Sequence, residues 1–468
     1  MQITGTKQNR AAAAGEIYPL LCFGGALAAL PFCDRLTGVL LILSTFLFAV
    51  ICRYSRRYLD GDPGQPRFYF WICTTGSCVL VLIVAQNLLL FAFAWLATSL
   101  SLHQLLQFYP ERPGALLAAR KKFLISRLGD CALVGALFLT YQVFGTWDFG
   151  EMFAMAQSMR AGEQISTSVN LAACLLVFAA MLKSAQFPFH SWLPDTMETP
   201  TPVSALMHAG IINAGGILVI RLSPIISMSP TAMTALAAVG AFTALFGSVV
   251  ALTQASVKRC LAFSTVAQMG FMMLECGLGA FHLALLHLAA HSLYKAYAFL
   301  SSGSAVSVKP KKTQPRETEQ ATGVAALVAG LVPAATAWAT GSRYFDQPVL
   351  AGIFFIGIAQ LLWGAKRGWH VVTGVMAGAC LTAVYLGLER AASTVVKPVQ
   401  IPDNPLLSGT ILSLFLLTAL LQSQLPRIRR TVVVSTFYIH ARNGFYFNTL
   451  ANRLTMALWP VQFNEGSR

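Results

Sequence analysis

A chain of 468 residues that is 56% hydrophobic and 11% charged, with a mean hydropathy of +0.63, carries far more apolar surface than a soluble protein of this length can bury. That excludes a soluble globular enzyme and points to an all-α polytopic membrane protein. The net charge of +15 would suit a nucleic-acid binder, but Lys and Arg gather between the apolar runs as they do in cytoplasmic loops, so nucleic acid is not an expected partner.

About fourteen runs are long enough to cross the hydrocarbon as helices. They lie near residues 17–33, 36–52, 68–86, 88–106, 123–145, 169–187, 203–221, 233–253, 260–279, 281–306, 322–341, 348–364, 371–388 and 406–424. Lys7 and Arg10 precede Ala11–Ala14 without a convincing cleavage site, so the first run is expected to be a retained span. With both termini cytoplasmic, the outer side holds Arg35, Arg160, Arg221, Arg343, Arg390 and Lys397. The ten cysteines are scattered singly, with no CxxC pair and no metal-ligand spacing. They read as small packing residues, and no metal or other cofactor is expected in this chain.

The fourth span, Asn87 to Gln107, holds Asn87, Ser99, Ser101, His103 and Gln104 among apolar residues. Ser and Asn suit a helix–helix packing face, whereas His103 is either a packed histidine or a proton-bearing group. The fifth span opens with Lys121, Lys122 and Arg127, and Asp130 follows Arg127 by one helical turn, a spacing that pairs them.

Lys183 closes the sixth span after the uncharged run Leu171–Leu182. A charge at the bilayer centre costs about 3 kcal/mol on insertion scales, so the lysine needs a use or a partner. Pro188, Pro194, Pro200 and Pro202 then prevent one continuous helix. Broken helices at membrane depth survive where the freed backbone is buried in protein or lines a watery cavity, and in transporters they mark ion sites. His208, followed by Gly210, Gly215 and Gly216, continues the interrupted segment and reads either as a packed core histidine or as a proton relay.

In the tenth span His287, His291 and Lys295 follow at steps of four, which stacks them along one helix face. Zinc is disfavoured because the third group is a lysine and no nearby Cys or carboxylate completes a ligand set. A hydrogen-bonded row that passes a proton accounts for all three residue types. AAMLKSAQF around Lys183 and AAHSLYKAYAF around Lys295 share features that an internal repeat would leave. Glu275 reads as a carboxylate near a membrane edge that reaches water, and the segment after Ser307 as a basic loop. The last spans hold few polar residues and read as scaffold or docking surface. The tail beyond Gln424 is amphipathic and should lie on the inner interface or on a partner.

The expected divisions are N-terminal transmembrane helices at 1–120, a translocation core at 121–306, a cytoplasmic loop at 307–321, C-terminal transmembrane helices at 322–425 and an amphipathic cytoplasmic tail at 426–468.

RRYLDGDPGQPRF, NLLLFAFAW, Arg127-Leu128-Gly129-Asp130, KSAQFPFHSWLPDTMETPTPVSALMHAG, Lys258-Arg259-Cys260-Leu261-Ala262-Phe263-Ser264-Thr265 and HLAAHSLYKAYAFLSSGS together resemble the antiporter-like, proton-translocating subunits of respiratory complex I and of Mrp antiporters, of the subunit 5 type. The resemblance implies broken helices in inverted repeats. It makes Lys183 the central proton-carrying lysine, His208 a relay on the broken helix, and His287, His291 and Lys295 the connection toward a second half-channel. His103, Asp130 and Lys258 join them as proton-pathway candidates. Where that family has a glutamate after the tryptophan of the fourth span, this chain has Leu96, and the lysine of the second half-channel has no clear match.

Within that superfamily MMLECGLGAF, AHSLYKAYAFLSSGS and IHARNGFYFNTL are most similar to DabB, the membrane subunits of two-component DabA–DabB inorganic-carbon uptake systems. The resemblance implies a non-enzymatic subunit of the inner membrane that conducts protons or sodium ions and works with a soluble zinc protein similar to β-carbonic anhydrases. Zinc and CO2 hydration then belong to that partner. A respiratory or Mrp-type subunit and a passive membrane anchor remain as the alternative readings.

Overall fold

A computed structural model describes residues 2–162, 166–303, 347–363, 371–402, 404–428 and 432–460. The basic loop expected at 307–321 and the span expected at 322–341 lie outside the described residues. Helices dominate throughout: α1 (Gln2–Ala29), α2 (Arg35–Tyr58), α3 (Gln65–Val84), α4 (Leu88–Leu106), α5 (Pro113–Phe144), α6 (Phe149–Ala161), α7 (Thr167–Lys183), α8 (Thr201–Ala209), α9 (Ala214–Arg221), α10 (Pro230–Ala251), α11 (Val257–Gly277), α12 (Phe281–Leu300), α13 (Pro348–Trp363), α14 (Val371–Ser393), α15 (Pro405–Ile428), α16 (Val432–Arg442) and α17 (Phe447–Leu458). Among the described residues nine segments are long and apolar enough to cross a membrane, with Thr167–Lys183 and Pro348–Gln360 as shorter apolar helices. Helix α12 has the length of a span, but its apolar run is punctuated by His282, His287, His291 and Lys295.

Local chemistry sets the helix ends. Asp34, Asn87, Asp148, Ser166 and Ser229 each place a side-chain oxygen on a first-turn amide, at 3.0 Å for Asp34 on Thr37 and 2.8 Å for Asn87 on Leu89. Gly145, at φ 65°, stops α5 in the left-handed conformation. The prolines end α7 at Lys183 and start α8 at Thr201, and a second break falls at Gly210–Asn213 before α9. The carbonyl of Ala209, freed by that break, accepts from the Asn213 amide at 2.9 Å.

Two compact units emerge. The first comprises Met1–Gly277, His287–Ala305 and Ile439–Arg468, and the second Leu278–Leu286 with Val306–Tyr438. In the first unit α10 and α11 approach so closely that a Cβ on Gly240 would sit 2.7 Å from the carbonyl of Gly270, a small-residue interface of the kind that packs helices in lipid. The aromatic rings of Phe187, Phe246, Phe445 and Phe447 cluster there, with Phe187 and Phe447 centroids 4.7 Å apart. From Ile439 onward the tail packs on the first unit through these rings. In the second unit Phe354 stacks on Tyr385 at 4.4 Å and the Gln347 amide donates to the Leu278 carbonyl at 2.9 Å. His282 there stands 3.8 Å from Glu389.

Candidate functional site

The buried polar groups of the first unit form two centres joined at the broken helix. At the first, Lys183 is buried, 7% exposed, at the C-terminal end of α7, where a cation also meets the negative end of the helix dipole. Its Nζ donates to the Trp95 carbonyl at 3.3 Å and lies 4.3 Å from the Trp95 ring centroid. The Trp95 indole N–H in turn donates to Asp130 Oδ1 at 3.0 Å. Arg127 and Asp130 do pair as their spacing predicts, at 2.8 Å. Among the described residues Lys183 has no carboxylate within ion-pairing distance. Asp130 therefore acts on it across one indole ring, on the helix beside the place where Leu96 stands.

At the second centre His208 is completely buried on α8. Its Nδ1 lies 3.0 Å from Thr265 Oγ1 and its ring stacks on Phe299 with centroids 4.3 Å apart. Thr265 donates to the Leu261 carbonyl at 3.0 Å, and Lys295 Nζ donates to the same carbonyl at 3.0 Å. One oxygen thus connects the histidine of the broken helix to the lysine of α12. Farther along α12, His291 and His287 stand with ring centroids 6.2 Å apart, and His287 Nδ1 lies 3.0 Å from Glu275 Oε2. The row faces inward, because Leu293, Tyr294 and Tyr297 occupy the exposed face of α12.

The break itself links the centres. Ser184, the residue after Lys183, donates to the Ile212 carbonyl at 2.8 Å, and Asn213 donates to Ser292 Oγ on α12 at 2.8 Å. A Cβ on Gly215 would strike the Ala180 carbonyl and Ser184 Oγ, so glycine permits this close approach of α9 to α7. The Nε2 atoms of His208, His287 and His291 are buried without a protein hydrogen bond. Groups with an open nitrogen beside a buried ammonium can accept and release a proton without first breaking a protein contact.

Two sequence candidates sit apart from these centres. His103 packs on Phe123 at 5.1 Å and makes no hydrogen bond to Lys183. Lys258 donates to Thr201 Oγ1 at 3.0 Å, clamping the first turns of α8 and α11, the helices that carry His208 and Thr265. Other groups were missed. Lys121 and Lys122, which open the fifth span, are buried with partners of their own: Lys121 reaches Asp195 and Asn448 at 2.6 Å each, and Lys122 reaches Ser99 Oγ at 2.8 Å. Arg221, taken as an outer charge, is buried against the Ile83 carbonyl at 3.0 Å and Thr37 Oγ1 at 2.8 Å. Lys121, Lys122 and Arg221 thus join Lys183 and Lys295 as buried cations, and Glu275 is buried beside His287 instead of reaching water. Among the described residues no group of three His, Cys, Asp or Glu could hold a metal ion.

Outside the spans, His190 lies among Phe187, Phe246 and Phe263 in the segment after α7. Burial, reinforced by the Lys121 charge, pushes its imidazole down to about 4.

Broken helices, buried lysines and a histidine row within an all-α frame define an antiporter-like membrane subunit. The family model described as NADH:quinone oxidoreductase/Mrp antiporter, TM, matches residues 85–384, and the chain belongs to this family, within it to the DabB inorganic-carbon transporter subunits. The probable inorganic carbon transporter subunit DabB2 of Halothiobacillus neapolitanus is 40% identical over 454 residues, covering 93% of this chain and 81% of the relative. The probable DabB of Hydrogenovibrio crunogenus is 36% identical over 446 residues, 92% of this chain and 83% of the relative. The chloroplastic NAD(P)H-quinone oxidoreductase subunit 5 of Buxus microphylla is 38% identical over 275 residues, covering 58% of this chain and 37% of that one. In fold the chain is similar to a chain of the Mrp complex from Dietzia sp. DQ12-45-1b, with a TM-score of 0.65 at 22% identity, covering 98% of this chain and 59% of that one.

Proposed function

We propose that this chain is the cation-conducting membrane subunit of an energy-coupled inorganic-carbon uptake complex, moving protons or sodium ions down their gradient to drive a soluble partner that hydrates CO2 or handles bicarbonate. The observation that carries the reading is the pair of buried lysine centres joined at the Gly210–Asn213 break. Lys183 and Lys295 hold the transferred charge in turn, and His208, with Thr265, and the His287–His291 row pass it on. Two ammonium groups enclosed in one low-dielectric interior repel, so a proton arriving at one favours release from the other. Asp130 and Glu275 balance the charge without contacting either lysine directly.

The chain resides in the inner membrane with both termini cytoplasmic, and the partner is a soluble DabA-like protein similar to β-carbonic anhydrases that carries the zinc. This chain supplies coupling and no carbon chemistry of its own. Replacing Lys183 with Ala should abolish uptake of labelled inorganic carbon while the complex still co-purifies with its partner. Unaltered uptake would remove the proposal.

A further inference from the structure

A polar pocket of about 140 Å³ lies apart from both lysine centres, beneath the first turn of α17. We infer that it is a binding site for a small oxyanion of carbonate, sulfate or phosphate type, held by Arg259, Arg442, His190, Ser191 and the amino-terminal end of α17. Four observations converge on that class of ligand.

The charged side chains lining the pocket are both arginines, and no carboxylate lines it. Asp195, next to the lining residue Pro194, has its charge balanced by Lys121 at 2.6 Å and also accepts from the Asn448 amide at 2.9 Å. Guanidinium groups present planar, paired donors that match the edge of an oxyanion better than a spherical halide.

His190 and Ser191, each 2% exposed, also line the pocket, and His190 Nδ1 and Ser191 Oγ are buried without a protein hydrogen bond. Buried polar atoms left unmatched are uncommon in folded proteins; the serine hydroxyl can donate to an acceptor, as can His190 Nδ1 in the tautomer that carries its proton there. Helix α17 supplies more: it begins without a side-chain cap, and its first-turn residues Asn448 and Thr449 line the pocket. The Phe447 N–H is taken up by the Gly444 carbonyl, and beyond it the positive end of the helix dipole at the Asn448–Thr449 turn favours an anion. The volume accommodates a four- or five-atom anion together with water.

The site stands on these groups whether or not the chain conducts cations. Bicarbonate as its natural occupant rests on the proposed function. Because the pocket joins the segment after Lys183, the α10–α11 turn and the tail, an anion there would cross-link three parts of the first unit.

The test uses the full chain in phosphatidylcholine nanodiscs at constant ionic strength in chloride, titrated separately with bicarbonate and with sulfate. Binding is read by line broadening of 13C-bicarbonate, by displacement of that broadening with sulfate, and by the thermal midpoint. The site predicts saturable binding that weakens at least about tenfold in Arg259→Gln and in Arg442→Gln, with a smaller loss in Ser191→Ala. Each variant must unfold within a few degrees of the parent in the absence of anion, and Ser191→Ala provides an independent arm if an arginine variant does not. No saturable response to either anion in the parent, or binding unaltered in both arginine variants, would overturn the site. Binding of sulfate that bicarbonate cannot displace would keep the site and overturn bicarbonate as its occupant. Cation flux measured in liposomes with the same preparations keeps the two proposals apart, since its absence counts against conduction and not against the anion site.

Discussion

The surroundings of Lys183 and of Lys295 solve the same problem with different parts. Each ammonium donates to a backbone carbonyl, Trp95 at 3.3 Å and Leu261 at 3.0 Å, and each lies near an aromatic ring, at 4.3 Å from Trp95 and 5.6 Å from Tyr294. In each the carboxylate is held off the lysine: Asp130 one group away behind the Trp95 indole, and Glu275 two groups away, behind His287 and His291 in the histidine row. A direct buried salt bridge would fix the charge on the lysine, because breaking such a pair costs about 3–5 kcal/mol. Carbonyl and ring contacts support the ammonium while leaving it free to lose its proton. The difference lies in the route. Lys295 shares its carbonyl with the Thr265 hydroxyl that meets His208, whereas Lys183 is joined to the break through the neighbouring Ser184.

If the two centres act in series, Lys295→Ala should suppress proton flux as deeply as Lys183→Ala, by at least about a hundredfold in proteoliposomes. Strong loss in one and near-normal flux in the other would break the equivalence. Removing the carboxylates should act less severely. Asp130→Asn is expected to lower flux about tenfold, and Glu275→Gln by a similar factor, measured against the same pH gradient. A null effect for Asp130→Asn would show that the indole does not transmit its charge. Thr265→Val tests the shared carbonyl, since it keeps the side-chain volume and removes the hydroxyl. A loss of about threefold to tenfold, the size of one hydrogen bond, is expected.

The smallest effect concerns His190, which belongs to neither centre. Its folded-state value of about 4 lies below the ordinary value of about 6.5. The folded protein therefore binds fewer protons, so this contribution to stability is complete above about pH 6.5 and is lost as pH falls from there toward 4. Thermal midpoints should decline over that window, and more gently in His190→Gln. Equal pH profiles would contradict the burial argument.

Much of this was legible in the residue order. Lys183, His208, His287, His291 and Lys295 stand out because a polar group in an apolar run has nowhere to hide, and steps of four place the row on one face. The helix breaks were announced by Pro188, Pro200 and Gly210. Lys121, Lys122 and Arg221 misled because a basic residue at the end of an apolar run looks the same whether it faces water or a buried partner. The partners of Lys121, Asp195 and Asn448, lie 74 and 327 residues away. Glu275 looks free to reach water for the same reason, since His287 meets it only after the chain has turned into α12. Nor could spacing show that Asp130 reaches Lys183 through Trp95, which is set by how α4 and α5 pack.

The most direct test is proton flux through the purified chain in liposomes, driven by an imposed pH gradient and followed with an internal dye, for the parent and for Lys183→Gln. The account predicts a flux in the parent that a protonophore does not raise much further and that disappears in the variant, with both proteins equally folded. Equal flux in the two, or none in either under conditions where the partner is present, would contradict it.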